Sequence, residues 1–267
     1  MHSIHPLPQQ PMQDKRKARE SQFHDEAFRN DDSRRQESKF YAVVKASWKG
    51  YETVLAADCQ GRTVLEYGCG PGSYAFFLGQ RGGSVTGIDL SQMAIERARK
   101  RLLSQAGAPQ FCVMDAERLG FKDASFDMIC GRAILHHLDL AASLPEITRV
   151  LRPGGRAVFL EPLGHNPAIN WYRNRTPGAR TVDEHPLLMH EIKAIQGCFA
   201  ESRLVYFHCL SLMTVPFRKL PAYKLLLRFF DVLDQVMFTV IPPTRRLAWT
   251  VMLELSRPNE TAVAGCR

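Results

Sequence analysis

The chain has 267 residues, enough for one large domain with a sizeable core, and this length does not require a second domain. Its seven cysteines are scattered without a C-x-x-C pair and its nine histidines show no metal-ligand spacing, so we expect reduced thiols and no metal centre. The formal net charge of +8 suits nucleic acid, anionic lipid or an acidic substrate, but no basic stripe is interleaved with aromatic residues, so nucleic acid is not an expected partner.

The N-terminal part divides into a polar tail and a helical segment. Residues 1–22 are rich in Pro, Gln and charge, which predicts a disordered basic tail. The first six residues lack the apolar core of a signal peptide, so together with the cysteine pattern we expect a cytoplasmic protein. Residues 23–58 predict N-terminal helices, because apolar side chains recur there at three- and four-residue steps: Phe40, Tyr41, Val44, Trp48, Tyr51 and Leu55.

Strand and helix patterns then alternate along the chain. The predicted strands are 63–67, 84–88, 109–114, 125–130 and 155–161, and the predicted helices are 72–81, 91–105 and 140–151. A turn over 152–155 links the last of these helices to the fifth strand. Such alternation predicts an α/β fold with a parallel, doubly wound sheet.

The first strand breaks into a glycine-rich turn, and the second ends on an acid. Gly68 and Gly70 carry no Cβ, so a ligand can lie directly on their backbone, and Asp89 is placed to accept hydrogen bonds from ribose hydroxyls. A dinucleotide fingerprint would place Gly or Ala where Ser73 stands. Glu66, two residues before the turn, suits an ammonium group better than a pyrophosphate, which favours a cofactor with an amino-acid end.

From Glu66 to about Gly155 the chain resembles the class I S-adenosylmethionine-dependent methyltransferases, especially those that act on small molecules. The resemblance depends on six motifs in the family's order: Glu66-x-Gly68-x-Gly70-x-Gly72, Gly87-Ile88-Asp89-Leu90-Ser91, Asp115-Ala116-Glu117-x-Leu119-x-Phe121, Phe126-Asp127-x-Ile129, Leu135-His136-His137-Leu138 and Val150-Leu151-Arg152-Pro153-Gly154-Gly155.

The resemblance implies a Rossmann-like, doubly wound seven-stranded sheet in the order 3-2-1-4-5-7-6, with the last strand antiparallel and the N-terminal helices as a lid. The two further strands fall at 203–211 and 247–255. Residues 59–162 would form the S-adenosylmethionine-binding core, and 163–267 the acceptor-binding insert and the C-terminal elements of the same domain.

The resemblance also assigns the cofactor-binding residues. Glu66 would orient the turn or meet the methionine amine, Asp89 would hold the ribose, and Asp115 would accept from the adenine amino group. Alternatively, Glu66 only caps a turn and Asp115 only ends a strand. The full predicted set is Glu66, Gly68, Gly70, Asp89, Leu90, Asp115, Ala116 and Arg132.

The segments after strands 4 and 5 are expected to face the transferable methyl group. The first lacks the Asn-Pro-Pro-Tyr motif that methyltransferases of DNA and protein amides place there, which disfavours a base amine as acceptor. The second is an insert of about 25 residues with aromatic, basic and imidazole groups, which favours a substrate lid. If the acceptor is a hydroxyl, His165 and then His136 are the candidate bases, each with a structural role as its alternative. If the acceptor is instead a carbon of an electron-rich ring or alkene, Glu161 could stabilise the developing cation.

Residues 221–241 predict an amphipathic helix with a wide apolar face, interrupted by Arg228, Asp231 and Asp234 too early for a membrane span. A core helix, an apolar acceptor pocket and a shallow, peripheral membrane contact remain open. The expected function is methyl transfer to a small, apolar or aromatic acceptor. The alternatives are an NAD(P)-dependent oxidoreductase and a non-catalytic cofactor-binding protein, and the oligomeric state is left open.

Overall fold

Seven strands form one mixed sheet in a computed structural model that describes residues 10–29, 43–102, 108–179, 181 and 183–259. The strand order β3-β2-β1-β4-β5-β7-β6 confirms the predicted fold class. The strand β7 runs antiparallel to both of its neighbours, and the other pairs are parallel. The bounds are β1 Thr63–Tyr67, β2 Ser84–Asp89, β3 Gln110–Val113, β4 Phe126–Arg132, β5 Leu151–Pro162, β6 Phe199–Phe207 and β7 Thr250–Pro258.

Helices cover both faces of the sheet. They are α1 Gln10–Arg29, α2 Lys45–Asp58, α3 Ser73–Gly79, α4 Gln92–Leu102, α5 Leu140–Val150, α6 Pro167–Arg175, α7 Met189–Gly197 and α8 Tyr223–Val240. Short 3-10 segments lie at Leu135–His137, Pro177–Ala179, Leu210–Phe217 and Pro242–Leu247. Across the described ranges, no helix is long and apolar enough to cross a membrane.

Successive side chains of the central strands enter two separate apolar clusters, one on each face. Leu65 and Tyr67 of β1 belong to one cluster, and Val64 belongs to the other. Tyr51 and Leu55 of α2 are completely buried in the second cluster, so α2 packs on the sheet as its apolar spacing predicted. Phe40 and Tyr41 of the same pattern lie outside the described residues.

The N-terminal prediction needs a correction, because residues 10–22 lie within α1 and not in a disordered tail; residues 1–9 are outside the described ranges. This helix has no apolar stripe that a periodicity could detect. Instead its charged side chains reach distant partners: Arg16 pairs with Glu117, and Lys17 pairs with Asp115. Contacts more than ninety residues away along the chain are invisible to local sequence patterns.

The last two strands are displaced from their predicted positions. The strand β6 ends at Phe207 and not at residue 211, because His208 turns the chain with a φ of 64°. Asp234 of α8 then accepts backbone N–H bonds from the residues that open the following 3-10 segment: Cys209, Leu210 and Ser211. The strand β7 begins at Thr250 and not at residue 247, since a 3-10 segment occupies Pro242–Leu247.

The predicted turn over 152–155 lies inside the bounds of β5. The strand β5 already begins at Leu151, which pairs with Phe126 of β4, and the register shifts between Phe126 and Met128. Gly154 has a φ of 77°, so the chain does turn there, but ladder pairing resumes at Arg156.

The topology brings several chain segments to one edge of the sheet. The carboxyl ends of the parallel strands β1 to β6 lie together there, where ligands of open α/β sheets bind. The strand β7 starts at the same edge, because Thr250 pairs with both Pro162 and Phe207 at the ends of β5 and β6. The segment between β6 and β7, which includes α8, therefore leaves from and returns to this edge.

Candidate functional site

A cavity of about 170 Å³ opens at the carboxyl ends of the central strands. Six residues predicted to bind cofactor line it: Gly68, Gly70, Asp89, Leu90, Asp115 and Ala116. Four residues of α1 line the opposite side: Arg16, Lys17, Glu20 and His24. Residues of α1 therefore border the cavity, and no described residue of α2 lines it.

The turn after β1 depends on glycine. Gly68 has a φ of 65°, and a Cβ built on it would lie 2.6 Å from Cδ1 of Ile134. Ile134 follows β4 and also lines the cavity. A side chain at position 68 would therefore both strain the backbone and collide with Ile134 at the cavity wall.

Asp89 is fixed at the end of β2 by two backbone donors. Its Oδ2 accepts from the N–H of Gly70 and its Oδ1 from the N–H of Ser91, each at 2.8 Å. Burial raises the pKa of Asp89, against the effect of these two hydrogen bonds. Each carboxylate oxygen keeps a further lone pair, so the group can accept two hydroxyl donors from the cavity, as a ribose diol requires.

Asp115 lies after β3 and is covered by α1. Its Oδ1 accepts from the N–H of Glu117 at 2.9 Å, and its Oδ2 binds Nζ of Lys17 at 2.6 Å. Nζ of Lys17 also lies 3.0 Å from Oε2 of Glu117. Burial lowers the pKa of Lys17, but the hydrogen bonds to Asp115 and Glu117 outweigh it and raise that pKa. The carboxylate predicted to meet adenine is thus bound by a lysine in this structure.

Two predicted cofactor residues do not line the cavity. Glu66 is buried, and its carboxylate accepts from the N–H groups of Tyr74 and Ala75 at 3.3 and 2.7 Å, so it caps the first turn of α3. Burial raises the pKa of Glu66 to about 8 despite these donors. The guanidinium of Arg132 lies over the rings of Trp48 and Tyr74, 4.7 and 5.2 Å from their centroids.

His136 and Glu161 form a buried pair behind the cavity wall. Nδ1 of His136 lies 2.8 Å from Oε2 of Glu161, whose Oε1 accepts from the N–H groups of Ile134 and Leu135. Burial lowers the pKa of His136 well below its ordinary value and raises that of Glu161 to about 7. Neither residue lines the cavity, and their hydrogen bonds hold the 3-10 turn that follows β4.

The structure gives His165 a role in local structure. Its Nε2 accepts from the N–H of Met189 at 3.1 Å, at the first residue of α7. The lone pair that a general base needs is therefore already engaged. No residue between 163 and 187 that the structure describes lines the cavity, although this segment was the predicted acceptor lid.

Two histidines line the cavity, His137 on the segment after β4 and His24 on α1. Nδ1 of His137 lies 3.2 Å from Oε2 of Glu20, and Nε2 of His24 lies 3.4 Å from the same oxygen. Burial would raise the pKa of Glu20, but the imidazoles of His137 and His24 and the Thr181 hydroxyl outweigh it and lower that pKa. The sequence placed His137 on the segment after β4 without selecting it as a candidate base, and Glu20 was not a candidate because residues 1–22 were expected to be disordered.

Two groups of histidine and glutamate side chains place their ligand atoms within 4.8 Å of one another, close enough to hold a metal ion. They are Glu20 with His24 and His137, and Glu184 with His136 and His137. Both carboxylates already have partners: Oε2 of Glu20 lies 3.2 Å from Nδ1 of His137 and 3.4 Å from Nε2 of His24, and Oε1 of Glu184 binds Arg173 at 2.9 Å.

Comparisons with known proteins agree with this geometry. Residues 65–159 match a protein family described as a methyltransferase domain. O-methyltransferase cnsE of Penicillium expansum is 37% identical over 118 residues, 43% of this chain and 43% of that protein. A ubiquinone biosynthesis O-methyltransferase of Pseudomonas paraeruginosa is 34% identical over 113 residues, 42% of this chain and 48% of that protein. The match thus spans less than half the length of either relative.

A solved structure extends the likeness beyond the matched region. Magnesium protoporphyrin IX methyltransferase of Synechocystis, determined with bound S-adenosylhomocysteine, aligns with a TM-score of 0.55 over 87% of this chain and 97% of that chain. The sequence identity is 16%, so this comparison shows a common fold. The matched domain and the common fold support a class I methyltransferase that uses S-adenosylmethionine as its cofactor.

Proposed function

We propose that the protein transfers a methyl group to a hydroxyl oxygen of a small, apolar or aromatic acceptor. The observation that carries this proposal is one cavity that combines the glycine turn, Asp89 and Asp115 with the imidazole of His137. The two curated relatives described above are named as O-methyltransferases, which supports oxygen as the accepting atom.

The residues present fit the cofactor at each of its three parts. Gly68 and Gly70 line the cavity without side chains where the amino-acid end would lie, and Asp89 would offer two acceptor oxygens to the ribose hydroxyls. Asp115 would accept from the adenine amino group once Lys17 withdraws to Glu117, its second partner at 3.0 Å. When bound, S-adenosylmethionine supplies an electrophilic methyl group on a sulfonium that leaves without acid catalysis.

The protein's own chemical task is then to orient the acceptor and take its proton. Glu20 lies against Nδ1 of His137, and a carboxylate at one ring nitrogen favours the tautomer with the proton on that nitrogen. The lone pair on Nε2 is then available for the proton of an acceptor hydroxyl. His136 and Glu161 act as positioning residues in this proposal, because they hold the 3-10 turn that carries His137.

The experiment that tests the activity uses S-adenosylmethionine with a labelled methyl group and a panel of acceptors: phenols, fatty acids and amines of matched apolar size. We expect labelled ethers or esters from the hydroxyl-bearing compounds. Labelled amines alone would contradict oxygen as the acceptor. Calorimetric titration with S-adenosylhomocysteine beside NADH checks the cofactor separately, and binding of NADH alone would contradict the methyltransferase assignment.

The proposed base is tested by paired histidine substitutions. We expect His137→Ala to slow turnover about 100-fold while the Kd for S-adenosylhomocysteine stays unchanged, since a general base acts on the acceptor. His165→Ala should keep its turnover and lose about 1 kcal/mol of stability, because it removes a partner of the first N–H of α7. Loss of turnover in the His165 variant but not in the His137 variant would return the base to the residue that the sequence favoured.

A further inference from the structure

The helix α8 exposes a continuous apolar stripe. Its five members follow one another at steps of three or four residues, so they lie on one side of the helix. Each is more than half exposed: Leu225 74%, Phe229 58%, Val232 62%, Val236 53% and Val240 71%. Further exposed apolar side chains flank the helix in sequence: Met213, Phe217, Leu220 and Ile241. Large apolar patches of this kind on a protein surface indicate a binding site.

The opposite side of α8 is firmly attached to the domain. Tyr223, Asp234 and Phe238 are buried. The carboxylate of Asp234 accepts three backbone N–H bonds of residues 209–211, and the amide of Gln235 donates to the carbonyl of Tyr206 at 2.9 Å. The orientation of the helix is therefore fixed, and the stripe points outward because the polar anchors hold the other side.

Charge is distributed unequally around the same helix. Lys224 and Arg228 are exposed beside the stripe, and Lys219 and Arg246 are exposed in the flanking segments. The only acidic residues between 204 and 249 are Asp231, which is half-buried, and Asp234, which is buried. The outward surface is therefore cationic and apolar, while the carboxylates are turned toward the domain.

We propose that this surface, defined by the α8 stripe with Lys219, Lys224, Arg228 and Arg246, binds the interface of an anionic membrane. An amphipathic helix with a cationic flank lies in the plane of such an interface, with its apolar residues at the headgroup–acyl boundary. The charge pattern disfavours a second copy as the occupant. In an isologous dimer this surface would meet itself, so that one cationic surface would face another.

The proposed membrane-binding surface is joined in the chain to the sheet edge at which the cavity opens. The 3-10 segment Leu210–Phe217 follows the end of β6, and Pro242–Leu247 precedes the start of β7. Both strand ends belong to the sheet edge at which the cavity opens. An apolar acceptor dissolved in the membrane would thus be held near the site, although binding of the membrane does not depend on the proposed reaction.

The test is co-sedimentation of the whole protein with vesicles of phosphatidylcholine alone and of equal parts phosphatidylcholine and phosphatidylglycerol. We expect binding to the mixed vesicles only, weakened by added salt. The double substitution Phe229→Ser with Val232→Ser should reduce partitioning about tenfold or more, because it removes two apolar side chains from the face that would enter the membrane. Both positions are exposed, so the melting temperature should stay near that of the parent.

A matched pair of charge variants distinguishes binding through this surface from attraction due to the net charge of the protein. Lys224→Glu with Arg228→Glu should abolish binding, while Lys45→Glu with Lys49→Glu, an equal change at the same spacing on the exposed side of α2, should retain it. Equal loss in both pairs would overturn the proposal in favour of unspecific electrostatic attraction. Absence of the parent from the mixed vesicles at low salt would also overturn it. So would a dimer seen by analytical ultracentrifugation that the serine variant loses, since the stripe would then bind a second copy.

Discussion

Asp89 has an observed role in the fold beside its proposed role in cofactor binding. Its two oxygens bind the N–H groups of Gly70 and Ser91, so the carboxylate both closes the glycine turn and stays fixed beneath the cavity. The positions of Gly70 and Asp89 were predictable, because the turn, the helix and the next strand are consecutive in the chain. Gly68 and Asp115 could be placed for the same reason, since each lies within two residues of the end of its own strand.

We expect Asp89→Ala to weaken binding of S-adenosylhomocysteine by about 2 kcal/mol, or about thirtyfold in Kd, because two ribose hydroxyls lose a charged acceptor. Calorimetry measures the change. Asp123→Ala removes a carboxylate that is exposed and paired with Arg149, and it should leave the Kd unchanged. Unaltered binding by the Asp89 variant would remove this residue from the site.

Glu66 makes the free energy of unfolding depend on pH. Burial raises its pKa from 4.5 to about 8 in the folded protein. Between these values the unfolded chain releases the proton and the folded chain retains it, so the stability that this group contributes below pH 4.5 is lost as the pH rises through about 8.

Glu66→Gln should therefore become more stable relative to the parent as the pH rises, by an amount on the order of a few kcal/mol in total, because an amide does not titrate. Urea unfolding of both proteins on either side of this interval gives the difference. Parallel stability curves would show that the carboxyl group does not titrate as inferred.

Adjacent histidines mark the limit of residue-level prediction. The sequence places His136 and His137 on one loop, but it does not show which of them faces the ligand. That choice depends on Glu161, which binds His136 from the next strand of the sheet, 25 residues along the chain. Spacing within a loop carries no information about such a partner.

Among the elements, α1 departs most from the sequence-based expectation. Polar contacts hold its described part: Lys17 and Arg16 reach carboxylates after β3, and Asp25 accepts from Ser91 and Met93 at the start of α4. A carboxylate at a helix N-terminus is favourable, which gives α1 a second point of attachment. The strands β1 to β5 could be predicted within a few residues because their buried positions are apolar and adjacent in sequence.

We expect Lys17→Ala to strengthen binding of S-adenosylhomocysteine about fivefold, because the ion pair between Lys17 and Asp115 must open before adenine can take its place, and partly exposed pairs contribute about 1 kcal/mol. Lys15→Ala is the matched control, an exposed lysine on the same helix. Calorimetry compares the three proteins. Weaker binding by the Lys17 variant would instead indicate that the lysine contacts the cofactor.

At the level of the whole molecule, the strand order followed from the resemblance and from the alternation of strands and helices. The orientation of α8 did not. Its sequence is compatible with a core helix or a surface helix, and the outcome depends on Asp234 and Gln235, which bind backbone groups of the segment after β6. Hydrogen bonds to residues distant in the chain thus determine the orientation of α8, which the local sequence pattern did not predict.

The position of α1 has a consequence for the timing of catalysis. The same helix carries Lys17, which is bound to Asp115, and Glu20, which lies beside the imidazole of His137. In the proposed reaction, moving the helix away to exchange spent cofactor would also separate Glu20 from His137. Cofactor exchange and proton transfer would then belong to alternating phases of one cycle, and a fresh methyl donor would meet a competent base only after the helix has closed.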